Sequence, residues 1–162
     1  MKQSVWWYLG PLLAGLAFII DRVTKQWFIH DPSYSYSLIG QVVYMQLHLN
    51  TDMAFSLPLL PWLYYGFIVV IITMLLITLG RAIQHGKLIE FVVVAFILSG
   101  ALGNLIDRWW YGGVIDFINV TPLRQWHGSV FNLADSYIVG AVFVWVVYLF
   151  IYDRPKKVST HH

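Results

Sequence analysis

Two aspartates stand in apolar sequence, where an ionised carboxyl group is costly. Asp116 interrupts the stretch Val114–Ile118, and Asp135 comes directly before the long apolar stretch that begins at Ser136. An ionisable residue in such surroundings is a candidate for function. Two close carboxyl groups share a proton because like charges resist joint ionisation, so one can act as a base and the other as an acid. Such a pair can activate water against an amide bond without a metal ion or a covalent nucleophile.

Each aspartate also has a structural explanation. Asp135 precedes a predicted helix, and the helix dipole stabilises an acid in the first turn. Asp116 fits a surface acid on an amphipathic strand. Composition alone favours neither explanation over the catalytic one.

Charged pairs near the ends of the apolar segments are more easily explained by structure. Asp21 and Lys25 are four residues apart, which places them on one face of a helix and predicts an ion pair. Lys25 could alternatively contact a lipid headgroup. Asp107 and Arg108 are adjacent, and a local ion pair fits them better than direct chemistry.

Asn104 is unusual because it lies inside an apolar segment. Gly100 and Gly103 precede it, and small residues allow helices to pack closely in a membrane. A hydrogen bond between helices is therefore the simplest explanation of Asn104.

Several other chemistries are excluded by missing residues. The chain has no cysteine, so it has neither a disulfide nor a thiol nucleophile. Its six histidines include no H-E-x-x-H spacing, and the sequence has no G-x-S-x-G motif, P-loop or dinucleotide fingerprint. A net charge of +2 is too small to indicate nucleic-acid binding. We expect no metal, cofactor or nucleic acid.

The composition indicates what must position these residues. Of the 162 residues, 59% are hydrophobic and 11% are charged, whereas soluble domains average about 25% charged residues. The charges bracket four apolar segments, each near the roughly 20 residues that cross a bilayer. We predict a single α-helical membrane domain over residues 1–162, with transmembrane helices at about 4–20, 59–79, 88–106 and 136–152.

The distribution of charge predicts the orientation. Four spans place both termini on one side, which holds six of the ten Lys and Arg residues, and the positive-inside rule makes that side cytoplasmic. Six of the eight acids fall on the other side, in or beside the outer loops at about 21–57 and 107–131. This concentration predicts a site at the outer face. The tail 153–162 is read as solvated, and no role is assigned to His161 and His162.

The outer loops contain signals of β-structure. Residues 41–50 alternate in the manner of a half-buried strand, and Gly112-Gly113 marks a turn before the apolar run Val114–Val120. Open sheet edges cannot lie in hydrocarbon, so we predict a small β-sheet at the membrane interface. The aromatic loop 107–131 is predicted to act as a lid.

Several of these residues stand in motifs that resemble those of the bacterial lipoprotein signal peptidase family (signal peptidase II). Three motifs are the most specific: Gly100–Arg108, Gly113–Phe117 and Phe131–Ser136. Two further segments, Asp21–Lys25 and Asn50–Ser56, resemble motifs near the first and second spans. The motifs occur in the family's order across all four predicted spans.

One motif departs from the family pattern. The family box reads Asn-x-Gly-Ala-Ala-Phe, and here Asp52 and Met53 replace the glycine and the first alanine. A turn that needs a positive φ is strained at Asp52, which puts the loop shape and the fit of substrate in doubt.

The resemblance implies an inner-membrane aspartic endopeptidase. Its substrates are diacylglyceryl-modified prolipoproteins, cut before the lipidated cysteine, and it needs no metal. Asp116 and Asp135 are then the catalytic pair. Seven residues bind substrate or support the site: Asn50, Asn104, Asp107, Arg108, Asn132, Asp21 and Lys25. The expected partners are prolipoproteins and membrane lipid, and we expect a monomer.

Two other classes remain as alternatives at this point. A small ion transporter or channel subunit could use the outer acids to bind a cation. Its conducting path should need polar residues across the bilayer, and the second span offers little beyond Thr73 and Thr78. A non-catalytic adaptor of the same architecture would be signalled by loss of either Asp116 or Asp135, and both are present.

Overall fold

A computed structural model describes residues 5–51, 61–121 and 130–152. The helices are α1 Trp6–His30, α2 Pro61–Gln84, α3 Leu88–Tyr111 and α4 Leu133–Tyr152. The strands are β1 Ser35–Ile39, β2 Val43–Asn50, β3 Val114–Val120 and β4 Val130–Phe131. The predictions for Asp52 and Met53, for residues 122–129 of the lid and for the tail fall outside the described residues.

The predicted helical membrane architecture is confirmed. Within the described ranges, three segments are long and apolar enough to cross a membrane, at Tyr65–Gln84, Leu88–Tyr111 and Leu133–Tyr152. Helix α1 has 25 residues but is charged towards its end, so the count of four spans stays a prediction.

The helices extend beyond the predicted spans. Helix α1 continues from residue 20 to His30, and α3 continues from residue 106 to Tyr111. The predicted ends were set at charged residues, but Asp21 and Asp107 lie inside helices and are buried. A charged residue ends a membrane span only when its charge must be solvated by water. The charges of Asp21 and Asp107 are instead paired inside the protein.

Helix α3 packs against α1, α2 and α4. Ser99 of α3 donates a hydrogen bond to the carbonyl oxygen of Ala14 in α1 (2.8 Å). On the other side, a Cβ at Gly100 would lie only 2.6 Å from the carbonyl oxygen of Ala134. Glycine at this position lets the beginning of α4 approach the outer half of α3, where Asn104 lies.

The four strands form an antiparallel sheet in the order β1-β2-β3-β4. Strand β2 occupies most of the segment in which alternation predicted a strand. Its pairing with β3 sets Asn50 opposite Val114 and His48 opposite Asp116, and the register shifts between Met45 and His48. The shift interrupts the simple alternation of faces that the sequence suggested.

The turn from α3 into β3 brings Asn50 close to Asp116. Gly112 ends α3 in the left-handed conformation (φ 72°), and its N–H donates to the carbonyl oxygen of Arg108 (3.1 Å). A Cβ at Gly113 would lie 2.8 Å from the carbonyl oxygen of Asn50. Glycine at these two positions therefore allows β3 to begin directly beside the end of β2.

Candidate active site

Asp116 is buried in the middle of β3 and has 2% of its surface exposed. Side chains alternate along a strand, so its neighbours Ile115 and Phe117 point to the opposite face. Phe117 is fully buried and its ring stacks on Phe28 of α1 at 4.7 Å between centroids. This packing anchors the strand and fixes the direction in which the Asp116 carboxyl group points.

Two asparagines donate hydrogen bonds to the Asp116 carboxyl group. Asn50 Nδ2 donates to Oδ2 (3.0 Å), and Asn132 Nδ2 donates to Oδ1 (2.8 Å). Burial raises the pKa of Asp116 to about 6, against the lowering effect of these hydrogen bonds, and the charge of Asp135 raises it as well. Asp116 therefore holds a proton at a pH at which an ordinary aspartate has lost it.

Asp135 lies in the first turn of α4 and is held by a capping box with Asn132. Asn132 Oδ1 accepts the N–H of Asp135 (2.9 Å), and Asp135 Oδ2 accepts the N–H of Asn132 (3.3 Å). Asn132 thus donates to both carboxyl groups, to that of Asp116 through its side-chain amide and to that of Asp135 through its backbone N–H. The helix-cap explanation of Asp135 and the catalytic one are compatible.

Asn104 connects Asp135 to the helix interface. Its Nδ2 donates to Asp135 Oδ1 (2.8 Å), and its Oδ1 accepts from Lys25 Nζ (2.8 Å) and from Asn132 Nδ2 (3.1 Å). The expected hydrogen bond between helices is present, and one of its ends lies on a candidate catalytic acid.

Lys25 is fully buried and occupies the centre of a charged cluster with Asp21, Asn104 and Asp107. Its Nζ lies 2.9 Å from Asp21 Oδ2 and 2.8 Å from Asp107 Oδ2. Asp21 Oδ1 also accepts the N–H of Ala134 in the first turn of α4 (3.0 Å). The cluster ties α1, α3 and α4 together and is linked to Asp135 through Asn104.

Arg22 is a site residue that the sequence analysis missed. It pairs with the Oδ1 of Asp107, while the Oδ2 of Asp107 lies 2.8 Å from Lys25 and 3.4 Å from the N–H of Ile115. Arg22 and Lys25 are three residues apart, so they share a helix face. This spacing is the sequence signal that could have identified Arg22, since two cations on one buried helix face need two acidic partners. Arg22 and Lys25 balance the charges of Asp21 and Asp107.

The structure brings most of the predicted site residues together. Asn50 and Asn132 contact Asp116, and Asn104 and Asn132 contact Asp135. Three charged residues lie one contact further from the two candidate acids: Asp21, Lys25 and Asp107. Arg108 follows Asp107 in the last turn of α3 and accepts the N–H of Gly112 through its backbone carbonyl.

The arrangement suits chemistry by two carboxyl groups and water. Asp135 is half-buried and Ser136 beside it is exposed, so Asp135 is not fully enclosed by the protein. Within residues 5–51, 61–121 and 130–152, no group of three or more His, Cys, Asp or Glu side chains is placed to hold a metal ion.

Comparisons with known proteins place this geometry in context. The family model described as signal peptidase (SPase) II matches residues 13–151. A lipoprotein signal peptidase of Syntrophomonas wolfei is 39% identical over 146 residues, covering 88% of this chain and 93% of that protein. One from Pseudomonas aeruginosa is 34% identical, covering 78% and 79%. Two solved structures of bacterial membrane enzymes align with TM-scores of 0.71 and 0.72, at 26% and 27% identity, and cover 95% and 90% of this chain and 94% of each of theirs.

Proposed function

The chain belongs to the signal peptidase II family, and on that premise we propose that Asp116 and Asp135 are its catalytic pair. As a member of the family it is a membrane aspartic peptidase that removes signal peptides from prolipoproteins. The ion-transporter alternative receives no support. The observation that carries the proposal is the position of Asn132, which hydrogen-bonds both carboxyl groups.

The two acids have different surroundings, and we assign them different roles. Asp135 receives hydrogen bonds from Asn104 Nδ2 and from the N–H of Asn132, and it lies at the positive end of α4. Both contacts present an N–H donor to a carboxyl oxygen of Asp135, so we assign Asp135 as the base. Asp116 is more deeply buried and its pKa is raised to about 6, so it is the partner that holds the proton.

The reaction follows from these roles. Asp135 takes a proton from a water molecule as the water oxygen attacks the scissile carbonyl carbon, and Asp116 gives its proton to the carbonyl oxygen. The tetrahedral intermediate then returns that proton to Asp116 as the C–N bond breaks. The leaving nitrogen takes the proton held by Asp135, so both acids end in their starting states.

The surroundings of Asp135 also suit a substrate that is partly lipid. An apolar groove of about 360 Å³ between α3 and α4 begins beside Asp135 at Ser136 and Tyr137 and continues to Phe96 and Val144. A prolipoprotein diacylglycerylated on cysteine could keep its acyl chains and apolar signal peptide in the bilayer while the bond before the cysteine reaches the pair.

The same proposal gives the location of the enzyme. With the four predicted spans, six of the ten basic residues lie on the side of the termini, which supports cytoplasmic termini and a catalytic face on the periplasmic side of the inner membrane. We propose that the enzyme acts there as a monomer among membrane lipids.

The test is cleavage by the purified enzyme in lipid. Two precursors are compared: a diacylglyceryl-modified prolipoprotein, and the same chain with serine in place of the modified cysteine. We expect the first to be cut before its cysteine, with unchanged rate in EDTA, and the second to stay intact. Equal cleavage of both would contradict the lipid requirement, and loss of activity in EDTA would contradict the metal-free mechanism.

The raised pKa of Asp116 predicts a pH dependence. The protonated acid is present below pH 6 and is lost as the pH rises through about 6, so kcat/KM should fall across that range. Infrared spectroscopy of the substrate-free enzyme should show a carboxylic C=O band that disappears with a midpoint near pH 6 and is absent from Asp116→Asn. If the band with its midpoint near pH 6 persists in Asp116→Asn, it belongs to another acid and contradicts the assignment.

A further inference from the structure

The side chain of Asn104 could present either end of its amide to Asp135, and the two ends have opposite effects. A nitrogen donates a hydrogen bond to a carboxylate and stabilises it, whereas an oxygen repels it. In this structure Nδ2 faces Asp135 at 2.8 Å and Oδ1 faces α1. Something must select this orientation, because the two ends of the amide are nearly the same size.

Lys25 supplies that selection. Its ammonium group has three N–H donors and no acceptor, so only the oxygen of Asn104 can face it. Its other contacts are with Asp21 and Asp107, and it is fully buried, which leaves the ammonium group no solvent to turn towards. Asn132 Nδ2 donates to the same oxygen of Asn104 at 3.1 Å and favours the same orientation.

We propose that Lys25 is a positioning residue for the reaction: it orients the Asn104 amide so that Asp135 receives a hydrogen-bond donor and stays ready to take a proton from water. The inference rests on the proposed role of Asp135 as the base. It gives the buried ion pairs beneath the site a role beyond joining helices.

Two substitutions of Asn104 test the orientation. Asn104→Asp keeps the size of the side chain and both acceptor contacts, with Lys25 and Asn132, but sets an oxygen against Asp135. Asn104→Ala removes the donor without adding repulsion. We expect Asn104→Ala to lower kcat about tenfold and Asn104→Asp at least about 100-fold, with KM within about threefold of wild type, because a hydrogen bond to a charged group is lost and a like charge is added. A purely structural role predicts the reverse order, since Asp preserves more of the packing, and that order would overturn the proposal.

Lys25 itself is tested with a pair of variants, of which the double variant keeps the buried charges balanced. Asp21→Asn retains an oxygen for the N–H of Ala134 and serves as the matched control, and Lys25→Met is added to it. Asp107 keeps Arg22 as its partner in both. We expect Lys25→Met to lower kcat about tenfold in this background, the effect of a lost charged hydrogen bond, when Asn104 is present. No further loss is expected when Asn104 is already alanine.

The outcomes separate this inference from the proposed function. A loss on removing Lys25 that persists in Asn104→Ala shows that Lys25 does not act through Asn104. Should the Lys25 variants fail to fold, the order of the two Asn104 variants decides. Full activity of all these variants, alongside inactive Asp116→Asn and Asp135→Asn, would overturn the positioning role alone. Activity in the aspartate variants would overturn the proposed pair.

Discussion

Asp135→Asn should remove nearly all cleavage of a lipidated precursor, and Asp116→Asn should do the same. We expect each to lower kcat by about 10³-fold or more, since each removes one proton-transfer group of a pair, and such groups contribute about 10²–10⁴-fold each. The double variant should be little worse than either single one, because the members of the proposed pair would act as one unit. The measurement is the rate of signal-peptide release by purified enzyme in lipid.

Both substitutions leave the size of the side chain almost unchanged, so loss of fold is a minor concern. Asp31→Asn is the matched control, because Asp31 is exposed at the end of α1 and its Oδ1 accepts from Ser33. We expect this control to cleave at the wild-type rate. Intact-mass analysis must exclude deamidation back to aspartate. Substantial cleavage by either active-site variant would remove that residue from the catalytic pair.

The sequence predicted the elements better than their ends. The length of the apolar segments predicted the helices. Alternating hydrophobicity predicted β2, and the Gly-Gly turn before an apolar run indicated β3. The ends differed because Asp21 and Asp107 looked like the limits of spans. A charge can stay inside a helix when partners from other helices satisfy it, and those partners are distant in sequence.

The residues of the candidate site were also predicted better than the contacts between them. Isolation in apolar sequence marked Asp116, Asp135 and Asn104, and the family resemblance supplied Asn50 and Asn132. Neither could predict that Asn132 contacts both acids or that Arg22 pairs with Asp107. These contacts depend on how closely α3 and α4 approach and on the register of β3, which are properties of the packed fold.

Substitutions of Asn132 can separate a structural role from a catalytic one, because this residue both caps α4 and donates to Asp116. Serine caps a helix about as well as asparagine, but its hydroxyl is too short to replace the Nδ2 contact with Asp116. We expect Asn132→Ser to unfold near the wild-type temperature and to lose about 3- to 10-fold in kcat, the effect of one hydrogen bond to the protonated, uncharged carboxyl group of Asp116. Asn132→Ala should show the same loss and also a free energy of unfolding lower by about 1 kcal/mol, because the cap is gone.

The comparison needs thermal unfolding and cleavage measured on the same preparations. Asn119→Ser is the matched control on β3, since Asn119 donates to the carbonyl oxygen of Gln46 and touches neither acid. If Asn132→Ser cleaves like wild type while Asn132→Ala is slow and unstable, then Asn132 acts only as a helix cap. In that case the alignment of the two acids must come from Asn50 and Asn104. If both variants are slow and only the alanine is unstable, the side-chain amide of Asn132 acts on the reaction itself, because the cap is intact in serine and its contact with Asp116 is not.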